Sequence, residues 1–162
     1  MSLAFMLVLM FAIGLVTGLR TFTGVAAVTW SAHLGWINLA GTPLSFMGSK
    51  WALVIFTILA LVEYVVDQLP STPARTVPMQ LGARLVFGSL AGASLAAAGG
   101  APLLLGIIGA MVGVLVGAYG GYHTRVGLVR RLKVADLAIA IPEDLVAIAL
   151  GLFVVSRIDS SA

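Results

Sequence analysis

The sequence contains no cysteine and very little charge. Only 9% of its 162 residues are Asp, Glu, Lys or Arg, and 60% are hydrophobic. The lack of cysteine excludes disulfides, thiolate catalysis and cysteine-ligated metals. Soluble domains carry about 25% charged residues, so this composition, with a mean hydropathy of +1.13, predicts an integral membrane protein. The length is sufficient for a single domain, 1–162, built from spans of about 20 residues each.

Motifs of the common enzyme classes are also missing. The sequence has no HExxH, GxSxG, P-loop or dinucleotide-binding motif. We therefore expect no enzymatic activity, no cofactor and no metal site. The net charge of +3 does not predict a nucleic-acid partner, because in a membrane protein the location of basic residues matters more than their sum.

Apolar runs, in contrast, are abundant, and they predict an all-α transmembrane bundle of about six spans. The runs lie at 3–19, 22–39, 51–66, 81–98, 102–121 and 134–155. The first has no basic n-region and no cleavage site, so we interpret it as a retained span. The second is the most polar, and it either spans the membrane or re-enters it. Pro142 is expected to start a new helix within the last run.

The basic residues predict an orientation in the membrane. If six spans alternate in direction, Lys50 and Arg157 fall on one side and seven basic residues on the other: Arg20, Arg75, Arg84, Arg125, Arg130, Arg131 and Lys133. The positive-inside rule assigns the crowded side to the cytoplasm. This predicts an inner-membrane protein with both termini outside, an assignment that fails if 22–39 only re-enters.

Glycine recurs every four residues in the fifth run, at Gly109, Gly113, Gly117 and Gly121. In water each helical glycine would cost about 1 kcal/mol relative to alanine, whereas between lipid-embedded helices small residues let two backbones approach closely. We therefore predict a close helix contact along this face. Its partner is either another helix of the chain or a second copy in a homodimer.

Carboxylates within or beside the apolar runs are the candidates for a functional site. Acids at membrane depth are costly, and they are tolerated where they face protein or an aqueous cavity and find partners. In the predicted topology they share one membrane level with arginines and a histidine. The hypothesis is a substrate or ion site made of Glu63, Asp67, Glu143, Asp144, Arg20, Arg84 and His123. The alternative is a structural network in which acids and bases pair and long arginines extend to the headgroups.

Two groups of three spans would place the second half of the chain upside down relative to the first. This is the inverted-repeat plan of many transporters, with halves 1–78 and 79–162. Under that hypothesis Glu63 and Glu143 occupy related places and form the polar centre. No residue-by-residue similarity between the halves is detectable.

Three sequence blocks combine charged residues with proline or glycine in an apolar setting. They are GLRTFTGVAAVTW at 18–30, EYVVDQLPSTPARTVP at 63–78 and PEDLVAIALG at 142–151, together with HTR at 123–125. In these blocks the chain resembles a family of small bacterial integral membrane proteins classed as a domain of unknown function. The resemblance covers nearly the whole chain and implies a polytopic membrane protein, but it supplies no activity, substrate or catalytic residue.

The expected function is transport of an ion or small solute across the lipid bilayer, by a carrier or a channel. Paired intramembrane acids favour this reading, because a scaffold would gain little from them. The alternative is a non-transporting assembly, scaffold or lipid-interacting protein.

Overall fold

The computed structural model describes residues 1–67 and 75–158. In this part of the chain there are six α-helices, one short 3-10 helix at Ser45–Gly48 and no β-strand. The α-helices are α1 (Leu3–Leu19), α2 (Thr21–His33), α3 (Lys50–Val66), α4 (Pro78–Ala98), α5 (Leu103–Leu132) and α6 (Asp136–Ser156). Helices α4, α5 and α6 are long and apolar enough to cross a membrane, and α1 is a shorter apolar helix. The predicted all-helical membrane bundle is confirmed.

The second apolar run is helical only in its first part. Helix α2 ends at His33 because Gly35 has a φ of 75°, and the Gly35 and Trp36 amides bond back to earlier carbonyls of the helix, a glycine-dependent termination. Its 13 residues cover about 20 Å, less than the hydrocarbon core of about 30 Å. A single helical span over 22–39 is therefore wrong. The rest of the run is irregular, and it buries Ile37 and Leu39 in the core.

Helices α1 and α5 pack with their backbones in contact. The glycine series of α5 faces α1, so that a Cβ added to Gly113 would collide with the carbonyl oxygen of Phe11, and one added to Gly117 with that of Leu15. Because the paired residue numbers rise together, the two helices run parallel. The close contact at Gly109, Gly113, Gly117 and Gly121 is thus made within the chain.

Successive helices along the chain alternate in direction. Gly92 of α4 faces Gly106 of α5, and Gly88 faces Val114, so α4 is antiparallel to α5. Analogous contacts set the directions of the other helices. The C-terminal ends of α1, α3 and α5 therefore meet the N-terminal ends of α2, α4 and α6 at one end of the bundle, which we call the polar end. Lys50 and Arg157 lie at the other end.

Two helices differ from their predicted extents. Helix α5 has 30 residues, about 45 Å, and it continues through the basic segment that follows Gly121 until Lys133, whose φ is 52°. Its last turns therefore extend beyond a hydrocarbon core of about 30 Å. Helix α6 runs through Pro142, so the prediction that Pro142 starts a new helix is wrong. Proline has no N–H, and one helical hydrogen bond is lost there.

The helix lengths do not support an inverted repeat. Helices α1 to α3 have 17, 13 and 17 residues, whereas α4 to α6 have 21, 30 and 21. Glu63 lies in the last turns of α3, and Glu143 lies in the first half of α6. The two acids therefore do not occupy related places in two halves of the chain.

Candidate functional site

Arg20 lies at the centre of the polar end. It is the single non-helical residue between α1 and α2, and it is 0% exposed. Its Nη1 donates a hydrogen bond to Asp67 Oδ2 at the end of α3, and its Nη2 lies 2.5 Å from Asp144 Oδ1 of α6. The guanidinium carbon is also 5.6 Å from the ring centroid of Tyr64, within range of a cation–π interaction. Arg20 thus links the α1–α2 turn to α3 and α6.

The two carboxylates beside Arg20 are held differently. Asp67 accepts a hydrogen bond from Arg20. Arg20 Nη2 and Asp144 Oδ1 are close, but within the described residues neither has a hydrogen-bond partner with suitable geometry, and Arg20 Nε also has none. Asp144 is therefore held in a close ion pair with Arg20, without the hydrogen-bond geometry that Asp67 has.

Glu63 caps a helix other than its own. The first amides of any helix have no intrahelical acceptor, and Arg20 at the start of α2 supplies no side-chain cap. Glu63 of α3 fills this role: Oε1 accepts from the Thr21 amide at 2.6 Å and Oε2 from the Phe22 amide at 2.9 Å. A carboxylate at this position also complements the positive end of the helix dipole. This role explains why a carboxylate is retained there, 8% exposed.

Arg84 of α4 satisfies carbonyl groups on the other side of the helix break at Arg20, between α1 and α2. It is 1% exposed, and its Nη1 donates to the carbonyl oxygens of Gly18 at 3.2 Å and Thr17 at 3.4 Å, at the end of α1. A cation is favourable at this negative helix end. Arg84 Nη2 also lies 3.7 Å from Glu63 Oε1. Glu63 and Arg84 therefore stabilise the amide side and the carbonyl side of the break at Arg20.

Two further ion pairs reach α6. Arg75 Nη1 donates to Glu143 Oε1 at 2.6 Å, and Arg75 is only 7% exposed. Arg125 of α5 binds Asp136 through two nitrogens, with Nε 2.9 Å from Oδ1, but the Asp136 side chain is 57% exposed. The first pair is part of the buried site, and the second lies at its edge.

The structure brings together six of the seven predicted site residues. With Arg75 they form what we call the ion-pair cluster: Arg20, Glu63, Asp67, Arg75, Arg84, Glu143 and Asp144. His123 lies apart from it, exposed on α5 with its ring centroid 5.3 Å from that of Tyr122. Among the described residues, no group of three or more His, Asp or Glu side chains is arranged to hold a metal.

Sequence reasoning missed three members of this region. Arg75 lies between the second and third prolines of the block 63–78, and an arginine inside a proline-rich block between two spans is the signal that could have identified it. Tyr64 adjoins Glu63, and its hydroxyl lies 2.8 Å from that of Thr23. Thr23 is therefore a partner of Tyr64 and not a helix cap, since α2 has no side-chain cap at Arg20.

Two crevices flank α6 and end at the polar region. The larger, about 430 Å³, lies between α1, α5 and α6, and its mostly apolar wall includes Glu143 and Arg125. The smaller, about 190 Å³, lies between α2, α3 and α6 and includes Thr23 and Tyr64. Helix α6 is therefore less enclosed than α1 or α5, and polar groups line the crevices on both sides of it.

Comparisons with known proteins identify a family and no activity. No curated protein and no solved structure matches the chain. The sequence profile described as "Domain of unknown function (DUF4126)" matches residues 7–156. This match covers α1 from residue 7 onward, the other five α-helices in full and every member of the ion-pair cluster. The chain belongs to this family of proteins with a domain of unknown function.

Proposed function

We propose that the protein transports an ion or small solute across the membrane, as a carrier or channel, and that the ion-pair cluster is its site. The supporting observation is Arg20, a fully buried arginine between two carboxylates from different helices. Buried charge at membrane depth is expensive and marks ion or proton pathways. Three buried nitrogens, Arg20 Nε, Arg20 Nη2 and Arg84 Nε, also lack a hydrogen bond of suitable geometry among the described residues, so the hydrogen-bonding capacity of the site is not fully used.

The packing of α6 supports the same proposal. This helix meets α1 and α2 through small residues such as Ala147 and Gly151, and at the polar end it is held by Asp144 and Glu143. Crevices separate it from α3 on one side and from α5 on the other. An ion pair can exchange partners during transport, whereas a contact packed backbone to backbone cannot.

Flux measurements in proteoliposomes test the proposal. Purified protein is reconstituted, and movement of H⁺, Na⁺, K⁺ and Cl⁻ is followed with enclosed fluorescent indicators, alongside uptake of labelled small solutes. We expect flux with the wild-type protein, loss of flux with Asp144→Asn, and normal flux with Asp136→Asn, which alters an exposed ion pair. A folded protein that moves none of the probes contradicts the proposal.

A second candidate function is a non-transporting membrane assembly, scaffold or lipid-interacting protein. The observation that favours it is the structural use of Glu63 and Arg84, which satisfy helix ends and need no transport role. The open apolar crevice beside α5 is also suited to contact with lipid. If the cluster is purely structural, Asp144→Asn and Glu63→Gln change stability, and no flux is measurable in any variant. A homodimer would have to use faces other than the glycine series, which α1 covers.

We further propose that the polar end faces the cytoplasm of a bacterial cell, with both termini outside the inner membrane. Seven basic residues lie at the polar end of the bundle, and Lys50 and Arg157 lie at the opposite end. Reporter fusions test the orientation. A C-terminal reporter that is active only outside the cytoplasm supports the proposal, and one active only in the cytoplasm contradicts it.

A further inference from the structure

The ion-pair cluster contains one more acid than it has bases. It has four carboxylates, Glu63, Asp67, Glu143 and Asp144, and three guanidinium groups, Arg20, Arg75 and Arg84. Residues 68–74, QLPSTPA, have no charged side chain, so this segment cannot change the count. The fully ionised cluster therefore has a net charge of −1, in a part of the bundle where uncompensated charge is costly.

The contacts identify which carboxylate is in excess. Glu63 is held by two backbone amides and Arg84, Glu143 has its own partner in Arg75, and Asp67 accepts a hydrogen bond from Arg20. Asp144 shares Arg20 with Asp67, and its contact with Arg20 Nη2 is a close ion pair in which Oδ1 lacks the hydrogen-bond geometry that Asp67 has. Without Asp144, the cluster resolves into three acid–base pairs with no net charge.

From this arrangement we infer that Asp144 binds one proton, and that the proton is the ion that the site takes up and releases. The groups around Asp144 are Arg20 at the α1–α2 turn, Tyr64 and Asp67 of α3, Arg125 of α5 and Glu143 of its own helix. Two of these groups are cationic, which disfavours a metal cation at the same point. Metal ions also require several oxygen ligands, whereas a proton needs one carboxylate oxygen.

This inference deepens the proposed function, and its coupling role rests on it. When Asp144 is protonated, its attraction to Arg20 falls from that of an ion pair to that between a cation and a neutral carboxyl group, and Arg20 forms an ion pair with Asp67 alone. When Asp144 is ionised, it competes with Asp67 for the same guanidinium. Uptake of the proton on Asp144 therefore weakens the attachment of α6 to Arg20, and its release restores it, with no other bond made or broken.

Infrared spectroscopy in lipid nanodiscs tests proton binding independently of transport. We expect the carbonyl stretch of a protonated carboxylic acid in the wild-type spectrum at neutral pH, shifted by deuterium exchange. The band should be absent from Asp144→Asn. It should also be absent from Asp67→Asn, because Asp144 is then the only carboxylate paired with Arg20 and is ionised. It should persist in the control Asp136→Asn.

Proton flux into vesicles containing a pH-sensitive dye tests the coupling role. An imposed pH gradient should drive dye quenching with wild-type protein and with Asp136→Asn, but not with Asp144→Asn. Absence of the acid band in wild-type protein, or its survival in both Asp144→Asn and Asp67→Asn, overturns proton binding at this site. If the same vesicles show a flux of another ion or solute that does not depend on pH, the coupling role is contradicted and the transport function is supported. The acid band with no flux of any probe supports the proton site and contradicts the transport function.

Discussion

Helices α5 and α6 are both long and apolar, yet they are attached to the bundle by opposite means. Helix α5 lies against α1 through glycines that leave no room for a side chain. Helix α6 is anchored at the polar end by acids that share or hold arginines, and crevices lie on both sides of it. Backbone packing is rigid and tolerates no exchange, whereas an ion pair can change partners. The comparison indicates a fixed set of helices, α1, α4 and α5, beside a more weakly attached α6.

The largest expected effect comes from disrupting the fixed set. In Gly113→Leu the new side chain must displace the Phe11 carbonyl of α1, so the loss of stability should exceed the about 1–3 kcal/mol typical of overpacking. We expect no folded monomer in detergent by size-exclusion chromatography. Gly120→Ala is the matched control, since nothing lies within 4 Å of a Cβ there. Equal thermal stability of the two variants would contradict the close contact.

Removing the charge that joins α3 and α6 should have the next largest effect. Arg20→Met leaves Asp67 and Asp144 without their shared cation, and breaking a buried pair in this way costs about 3–5 kcal/mol. Thermal unfolding in detergent measures the loss. Combining Arg20→Met with Asp67→Asn and Asp144→Asn should recover part of it, because no unpaired acid remains. A triple variant less stable than the single one would show that Arg20 acts by packing and not by charge.

Neutralising Glu63 and neutralising Asp144 should reduce the stability of the protein by different amounts. Glu63→Gln replaces an acceptor of two backbone amides with a group that accepts from one of them, and we expect a loss of about 2 kcal/mol. Asp144→Asn removes the acid in excess, and it should cost about 1 kcal/mol or less. Unfolding midpoints of the two variants, measured under identical conditions, decide the order. The reverse order would mean that Asp144, and not Glu63, is the structural acid.

The smallest effect is expected at the edge of the polar end. Asp136→Asn disrupts the ion pair with Arg125, but the acid is more than half exposed, so the loss should be below about 1 kcal/mol. Salt screens exposed pairs, and the difference from wild type should vanish in high salt. A loss of stability as large as that of Glu63→Gln would contradict this prediction and show that the Arg125–Asp136 pair stabilises the protein as strongly as a buried interaction.

Sequence alone predicted much of the fold, because apolar runs and glycine spacing are local signals. The breaks at Arg20 and at Gly99–Gly100, and the glycine face of α5, are properties of short segments. The early end of α2 was missed, since Ile37 and Leu39 beyond His33 are buried without being helical. The continuation of α5 was missed because a basic segment was taken as a boundary, although it contains no proline.

The candidate site was predictable in composition but not in connectivity. Six of its members stand out as charges beside apolar runs, but no sequence pattern pairs Arg75 with Glu143 across 68 residues. The role of Glu63 as the cap of α2 depends on how α2 and α3 pack. His123 shared the predicted membrane level but not the cluster, because a helix end has several faces and only one is turned inward.

The break between α1 and α2 has a consequence for the order of assembly. Its amides are satisfied by Glu63 and its carbonyls by Arg84, and the shortest of these links join residues 41 and 66 positions apart in the chain. During synthesis α1 and α2 are complete before either residue has been added to the chain. Arg20 and the exposed backbone around it must therefore stay hydrated at the membrane surface, and the first helix pair reaches its final depth only when α3 and α4 arrive. A nascent chain that stops before Arg84 should remain accessible to water-soluble probes at the break, and one extended through α6 should not.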